Sequence, residues 1–280
     1  MEGTNNESGK AGVSMDVVVS AGGKPVHRVD WITPEEPLQL VLEQGGKRMD
    51  LAVIMRTPLM DTELAAGFLF TEGLIASRDE IQSIELEDSG QGEEGNVIRV
   101  KLSGDVRKDV EERRFSVSSS CGICGKSSIN ELYVRGYPII RSTGKVDRSV
   151  IISLPDRMRS GQKVFLSTGG IHAAGLFRYD GSMVAVCEDI GRHNAVDKIA
   201  GFMLLSGHMK REDYVLQVSG RAGFEIVQKA VAMGIPVVSS ISAPSSLAIE
   251  TADAFGITLA CFVRDGKFNV YSHAERLNWD

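Results

Sequence analysis

The sequence predicts an α/β fold, with a strand-rich first half and a second half in which strands and helices alternate. Three observations carry this prediction. Beyond residue 160, short apolar runs alternate with segments at helical spacing, and Gly/Ser turns separate them. That is the pattern of parallel strands joined by right-handed crossovers. From Met15 to Val100 the apolar runs are strand-length, and only one helical repeat interrupts them. The composition, 42% hydrophobic and 24% charged over 280 residues, is that of a globular chain and excludes wholesale disorder.

Taken in order, residues 1–14 are polar and Gly/Ser-rich and are expected to form a disordered tail. Residues 15–115 are assigned to the strand-rich unit, with strands at Val17–Val19, Leu38–Leu42, Leu51–Met55 and Val97–Leu102. Its one helix follows Pro58, with Asp61 as the expected cap and Leu64, Ala65, Phe68 and Leu69 at helical spacing. Residues 85–96 read as an acidic, Gly-rich loop, and residues 116–150 as a mobile loop and linker. Residues 151–280 form the α/β unit. Its strands are expected at 163–167, 183–187, 214–218, 235–241 and 257–263, and its helices at 222–233 and 245–254. Val196, Ile199, Ala200, Met203 and Leu204 mark another helix, expected to be capped by Asn194. Asp265-Gly266 is the expected turn of a closing hairpin.

Several function classes are excluded at this level. Lys and Arg number 31 against 37 Asp and Glu, a net charge of −6, which argues against broad electrostatic capture of nucleic acid. The longest apolar runs fall well short of the ~18 residues of a membrane span. The first residues carry neither the basic nor the apolar region of a signal peptide. A soluble, cytoplasmic chain with no membrane partner is expected.

Chemistry concentrates at Cys121-Gly-Ile-Cys124, two of only four cysteines. Glycines on either side leave the sulfurs unshielded, and Lys126 favours thiolate, the species that attacks a sulfur donor or binds a soft metal. Zinc needs about four ligands, and no second pair is present. His273-Ala-Glu275 follows the cysteines instead of preceding them, so a zinc deaminase is not indicated. Gly90-Gln-Gly-Glu-Glu-Gly95 carries two glutamates where a pyrophosphate would approach, and Gly125-Lys126-Ser127 lacks the first glycine of a P-loop. The stretches around Ser219-Gly220-Arg221 and Ser242–Ser246 each end a strand and open a helix, where an anion or phosphate can bind. His172, after Gly169-Gly170, is expected to face a site, and His193 to be partly buried. Asp189 is expected to pair with Arg192, and Cys187 and Cys261 to be buried small hydrophobes.

The ordered set of segments resembles one family. The segments are Met55-Arg-Thr-Pro58, Asp61-x-Glu63-Leu-Ala-x-Gly67-Phe, Cys121-Gly-x-Cys124-Gly and His172-Ala-Ala. After them come Glu188-Asp-Ile-Gly-Arg-His193-Asn-Ala-Val-Asp-Lys198, Ser219-x-Arg221-x-x-x-Glu225-x-Val-Gln-Lys229 and Phe262-x-Arg-x-Gly-Lys267. Together they are similar to the formate dehydrogenase accessory sulfurtransferase family, FdhD. The resemblance implies a deaminase-like α/β domain over 151–280 without the zinc, a smaller N-terminal domain, and a homodimer. It implies a sulfurtransferase that receives persulfide sulfur from a cysteine desulfurase on Cys121, with Cys124 as resolving thiol or second relay. The acceptor would be the molybdenum bis(molybdopterin guanine dinucleotide) cofactor, bound as substrate on its way to formate dehydrogenase. The guanine dinucleotide contact would fall on Phe262, Val263, Arg264, Asp265, Gly266 and Lys267, with His193 and Arg221 lining the pocket. A non-catalytic cofactor chaperone and a zinc-dependent hydrolase are the two alternatives.

Overall fold

The computed structural model describes residues 12–87, 95–103, 129–209 and 213–280. Cys121 and Cys124, the 116–128 loop and most of the acidic 85–96 loop lie outside the described residues. Among the described residues, strands β1 (Val13–Ala21) and β2 (Lys24–Ile32) pair only with each other, as an antiparallel ribbon. A four-stranded sheet follows, from β3 (Glu36–Gln44), β4 (Lys47–Arg56), β5 (Ile81–Glu87) and β6 (Val97–Leu102), in the order β4-β3-β6-β5. Alternate residues Leu38, Leu40 and Leu42 of β3 are buried, as the two-residue period of a strand requires.

Helix α1 (Asp61–Thr71) lies between that sheet and the second half and is buried from Leu64 to Thr71, so its apolar residues run all round. Asp61 is its first residue, not its cap. Met60 takes the cap position in the left-handed region, and Asp61 is held by Arg56 through two hydrogen bonds of 3.1 and 2.9 Å. After α2 (Ile129–Val134) and the short β7 (Val146–Asp147) comes α3 (Arg148–Gly161), which the sequence pattern did not reveal. Pro155 sits inside it, where a proline removes one backbone bond. The helix persists because Ile151, Leu154 and Met158 are buried along one face.

Residues 163–167, expected as a strand, instead form α4 (Lys163–Thr168). The cause is tertiary. The carboxylate of Glu188 accepts from the first-turn amides of Val164 at 2.9 Å and Phe165 at 2.8 Å, a cap supplied from 24 residues away. Gly169, at φ 67°, closes α4 in the left-handed conformation, which glycine adopts without strain.

The second half is built on β8 (His172–Arg178), β9 (Met183–Asp189), β10 (Tyr214–Val218), β11 (Val237–Ser240), β12 (Thr258–Arg264) and β13 (Lys267–Ser272). They form one sheet in the order β13-β12-β11-β10-β8-β9. Strands β10, β11 and β12 are parallel to one another, whereas β8 pairs antiparallel with both β10 and β9 and β13 pairs antiparallel with β12, so the sheet is mixed rather than parallel throughout. Hairpin connections at 179–182 and 265–266 impose this, since a tight turn can only reverse the chain.

One face of the sheet packs on α3, through Ala173, Phe177, Val215, Val237 and Ala260. The other packs on α5 (Arg192–Leu205), α6 (Phe224–Met233) and α7 (Ser246–Ala254). Gly191, not Asn194, is the N-cap of α5. Helices α1 and α5 approach so closely that a Cβ on Gly67 would overlap the Asp197 carbonyl, and one on Gly201 the Glu63 carbonyl. Space, not backbone conformation, demands both glycines. A short strand β14 (Leu277–Asn278) pairs with β7.

Candidate functional site

Because β10, β11 and β12 are parallel, their carboxyl ends open on one edge of the sheet, where ligands of open α/β sheets bind. The antiparallel β8 begins at that edge with His172, whose register partner is Asp189 at the end of β9. The edge therefore brings together His172, Asp189, Ser219, Ser240 and Phe262. Its loops are tied to one another. Ser240 Oγ donates to Gly220 O at 2.7 Å, Phe262 N to Ser242 O at 3.1 Å, and Ser245 N to Ala222 O at 3.1 Å.

The segment 188–198 divides its work. Asp189 pairs with Lys198, not Arg192, at 2.6 Å, and both side chains are fully buried. Lys198 Nζ also donates to Thr57 O and Glu188 O, and Asn194 Nδ2 to Met55 O and Asp189 Oδ1. Asp197 accepts from Lys229 at 2.7 and 2.9 Å and from Thr71 at 2.7 Å. These residues fasten Met55–Pro58 and α1 onto α5 and α6. Only Arg192 and His193 are left to face the edge.

They meet a small cluster there. His193 Nε2 lies 2.8 Å from Glu225 Oε2, and this contact holds the Glu225 carboxyl below the usual carboxylate range. His172 Nδ1 is 3.2 Å from Ser219 Oγ, which also accepts from Ala173 N at 2.9 Å. Burial pushes the His172 imidazole down, and the charges of Arg192 and His193 push it further. Gly220 lies beneath: a Cβ there would be 3.2 Å from Arg192 Cδ and 3.4 Å from His172 Cε1.

Three strands away, Arg264 and Lys267 are register partners flanking a two-residue turn. Asp265 and Gly266 both have positive φ, 53° and 71°, the requirement of a type I′ hairpin. The register slips between Cys261 and Arg264, and Phe262 sits at φ 56°, a conformation that costs a bulky residue ~1–3 kcal/mol. The Arg264 guanidinium carbon lies 5.8 Å from the centroid of the Phe262 ring, within cation–π range. Arg264, Asp265, Gly266 and Lys267 are exposed, whereas the Val263 side chain is buried in the core against α3 and offers a ligand nothing but backbone.

Of the other sequence-derived candidates, Arg221 is exposed. The Ser245 hydroxyl caps α7, accepting from Ala248 N at 3.2 Å. Cys187 and Cys261 are buried, as expected, and burial pushes both thiols up to about 12. His273 and Glu275 lie at the opposite end of β12, with His273 Nε2 on Asp253 O. Among the described residues no group of three His, Cys, Asp or Glu side chains is placed to hold a metal. Arg192 and Glu225 are the edge residues that sequence reasoning left without a site role. The visible signal was their place in the first turns of α5 and α6, the two helices that open on this edge.

Comparison with known proteins identifies the family. The family model described as FdhD/NarQ matches residues 33–278. A sulfur carrier protein FdhD from Picrophilus torridus is 48% identical over 248 residues, covering 89% of this chain and 92% of the relative. One from Thermoplasma acidophilum is 47% identical over 279 residues, covering 95% and 98%. A crystal structure assigned as a formate dehydrogenase accessory protein from Desulfotalea psychrophila superposes with a TM-score of 0.74. It covers 95% of this chain and 99% of its own at 24% identity, a likeness of fold. The chain belongs to the FdhD/NarQ family.

Proposed function

We propose that this protein is a sulfur carrier serving formate dehydrogenase. The observation that carries the reading is the identity of 47–48% over nearly the full length of relatives named as sulfur carriers. In this reading the Cys121 thiolate attacks the outer sulfur of a desulfurase persulfide. The desulfurase leaves as thiolate and Cys121 keeps the sulfur as its own persulfide. Cys124 thiolate then attacks Cys121 Sγ, and the resulting disulfide releases hydrosulfide, so the electrons balance within the protein. The acceptor is the molybdenum bis(molybdopterin guanine dinucleotide) cofactor, bound as substrate along the carboxyl edge of β10–β12. Exposed Arg264 and Lys267 support contact with its nucleotide end, and the strained Phe262 supports a built site. A deaminase-like lineage is supported by the mixed sheet with α3 on one face and α5–α7 on the other.

The carrier is inferred to act in the cytoplasm as a homodimer. Support for the dimer comes from the β1–β2 ribbon, which exposes Met15 at 54%, Val18 at 60%, Val29 at 60% and Trp31 at 52%. A two-stranded ribbon is marginal alone. Strand β2 carries Lys24, Pro25 and Arg28, which protect an edge, while β1 carries no Lys, Arg or Pro and suits pairing with a second copy. The carrier reading is tested in a host lacking its own carrier. Wild-type chain restores formate dehydrogenase activity and Cys121→Ala does not, with equal protein level. Full restoration by a chain lacking both cysteines would favour the chaperone reading instead.

A further inference from the structure

We propose that Arg192 and His172, lying over Gly220, form a binding site for a phosphate-type oxyanion, at the end of the sheet edge remote from the Phe262–Lys267 hairpin. The inference rests on the carrier reading in one respect: it assigns the oxyanion to the diphosphate of the nucleotide acceptor.

The first argument is charge. Among the described residues, the acids close to Arg192 are already engaged. Asp189 is held by Lys198, with Gly191 N, Asn194 and Thr57 N around it. Glu188 caps α4, and Glu225 is held by His193. Among the described residues Arg192 pairs with no carboxylate, and its Nε is buried without a hydrogen-bond partner. A guanidinium left without a carboxylate partner is a ready partner for an oxyanion.

The second argument is space. Gly220 does not have a positive φ, so its backbone would tolerate a side chain, yet a Cβ would press on Arg192 Cδ and His172 Cε1. The missing side chain is what lets the two groups lie over the Ser219–Gly220 turn. The third is the donor set. His172 Nδ1 is committed to Ser219, which leaves Nε2 for a ligand. Helix α5 starts at Arg192 with no side-chain cap, so its first amides are not taken by an N-cap side chain. The cationic neighbours that push His172 down are those an anion would neutralise.

The position fits the assignment. Strands β8 and β12 are three spacings apart in the sheet, about 14 Å. An extended dinucleotide can bridge that separation, with its base end at Arg264 and a phosphate at Arg192.

The test uses the full-length protein, with inorganic pyrophosphate as probe, followed by calorimetry and by the His172 Cε1–H resonance. Pyrophosphate is expected to bind and to raise the His172 pKa, since an anion favours imidazolium. Arg192→Gln is expected to weaken binding at least tenfold, and Gly220→Ala to weaken it as well, while Arg264→Ala leaves pyrophosphate binding unchanged. Arg192→Gln should also raise the His172 pKa in the free protein. Asp189, His193 and Glu225, the other titratable groups at the site among the described residues, remain as they were, and added pyrophosphate should then leave the His172 pKa unmoved, whereas loss of a merely structural arginine would leave the pyrophosphate-induced rise intact. Should Arg192→Gln fail to fold, His172→Asn is expected to show the same loss of pyrophosphate binding. Guanosine diphosphate is expected to compete with pyrophosphate; failure to compete overturns the nucleotide assignment. No binding by wild-type protein, or loss on Arg264→Ala but not on Arg192→Gln, overturns the site itself. Persulfide loading of Cys121, measured on the same preparation, reports separately on the carrier reading.

Discussion

His193 Nε2 stands 2.8 Å from Glu225 Oε2, joining the first turn of α5 to the first turn of α6. Both residues belong to separate motifs in the sequence, and this contact is where the two motifs meet. The hydrogen bond favours the ionised carboxylate, so Glu225 titrates below its unfolded value.

A pH dependence follows from that direction. The stabilisation from Glu225 is fully present above its unfolded pKa, about 4.3. It is lost as pH falls through the lower folded value. Denaturant titrations between pH 3 and 7 should show a steeper acid decline in wild type than in Glu225→Gln. Identical slopes would mean that the contact contributes nothing in solution.

The α1–α5 contact should be intolerant of any side chain at its two glycines. Gly67→Ala and Gly201→Ala each place a carbon on a backbone carbonyl of the facing helix. Each is expected to lose at least the ~1–3 kcal/mol of an overpacked core in urea unfolding. Gly223→Ala, where a Cβ meets nothing within 4 Å, is the control and should remain close to wild type.

Asp189→Asn should be more damaging than its size suggests. It leaves Lys198, fully buried, facing a neutral amide instead of a carboxylate 2.6 Å away. Breaking such a pair costs ~3–5 kcal/mol. Calorimetric melting of the single variant and of Asp189→Asn with Lys198→Met should show the double variant recovering part of the loss.

The cysteines should separate cleanly in reactivity. Cys187 and Cys261 are buried with thiols pushed up to about 12, so neither supplies thiolate at neutral pH. Iodoacetamide at pH 8 is expected to label Cys121 and Cys124 in native protein, and the other two only in denaturant. Native labelling of Cys187 would contradict the packing of β9 against α5.

Much of this arrangement was legible in the sequence, and what was not has identifiable causes. Strands β3, β4, β6 and β10–β12 and helices α1, α5, α6 and α7 follow from local periodicity, and the 265–266 hairpin from its Asp-Gly turn. Helix α4 was misread because its cap, Glu188, arrives from another strand, and α3 because Pro155 interrupts the pattern. The sequence reading of segment 188–198 takes Asn194 as a helix cap, pairs Asp189 with Arg192 and places His193 in the pocket. In the structure most of it is fastening: Glu188, Asp189, Asn194, Asp197 and Lys198 bind other elements, and only Arg192 and His193 face the edge. Spacing could not separate these roles, because charged residues that pair across 130 residues look the same in sequence as charged residues awaiting a ligand.

The central claim, that Cys121 carries sulfur, is tested most directly by intact and peptide mass spectrometry after incubation with a cysteine desulfurase and cysteine. The account predicts a reductant-labile gain of one sulfur atom mapped to Cys121, and none on Cys187 or Cys261. An unmodified Cys121 alongside an active desulfurase would contradict it.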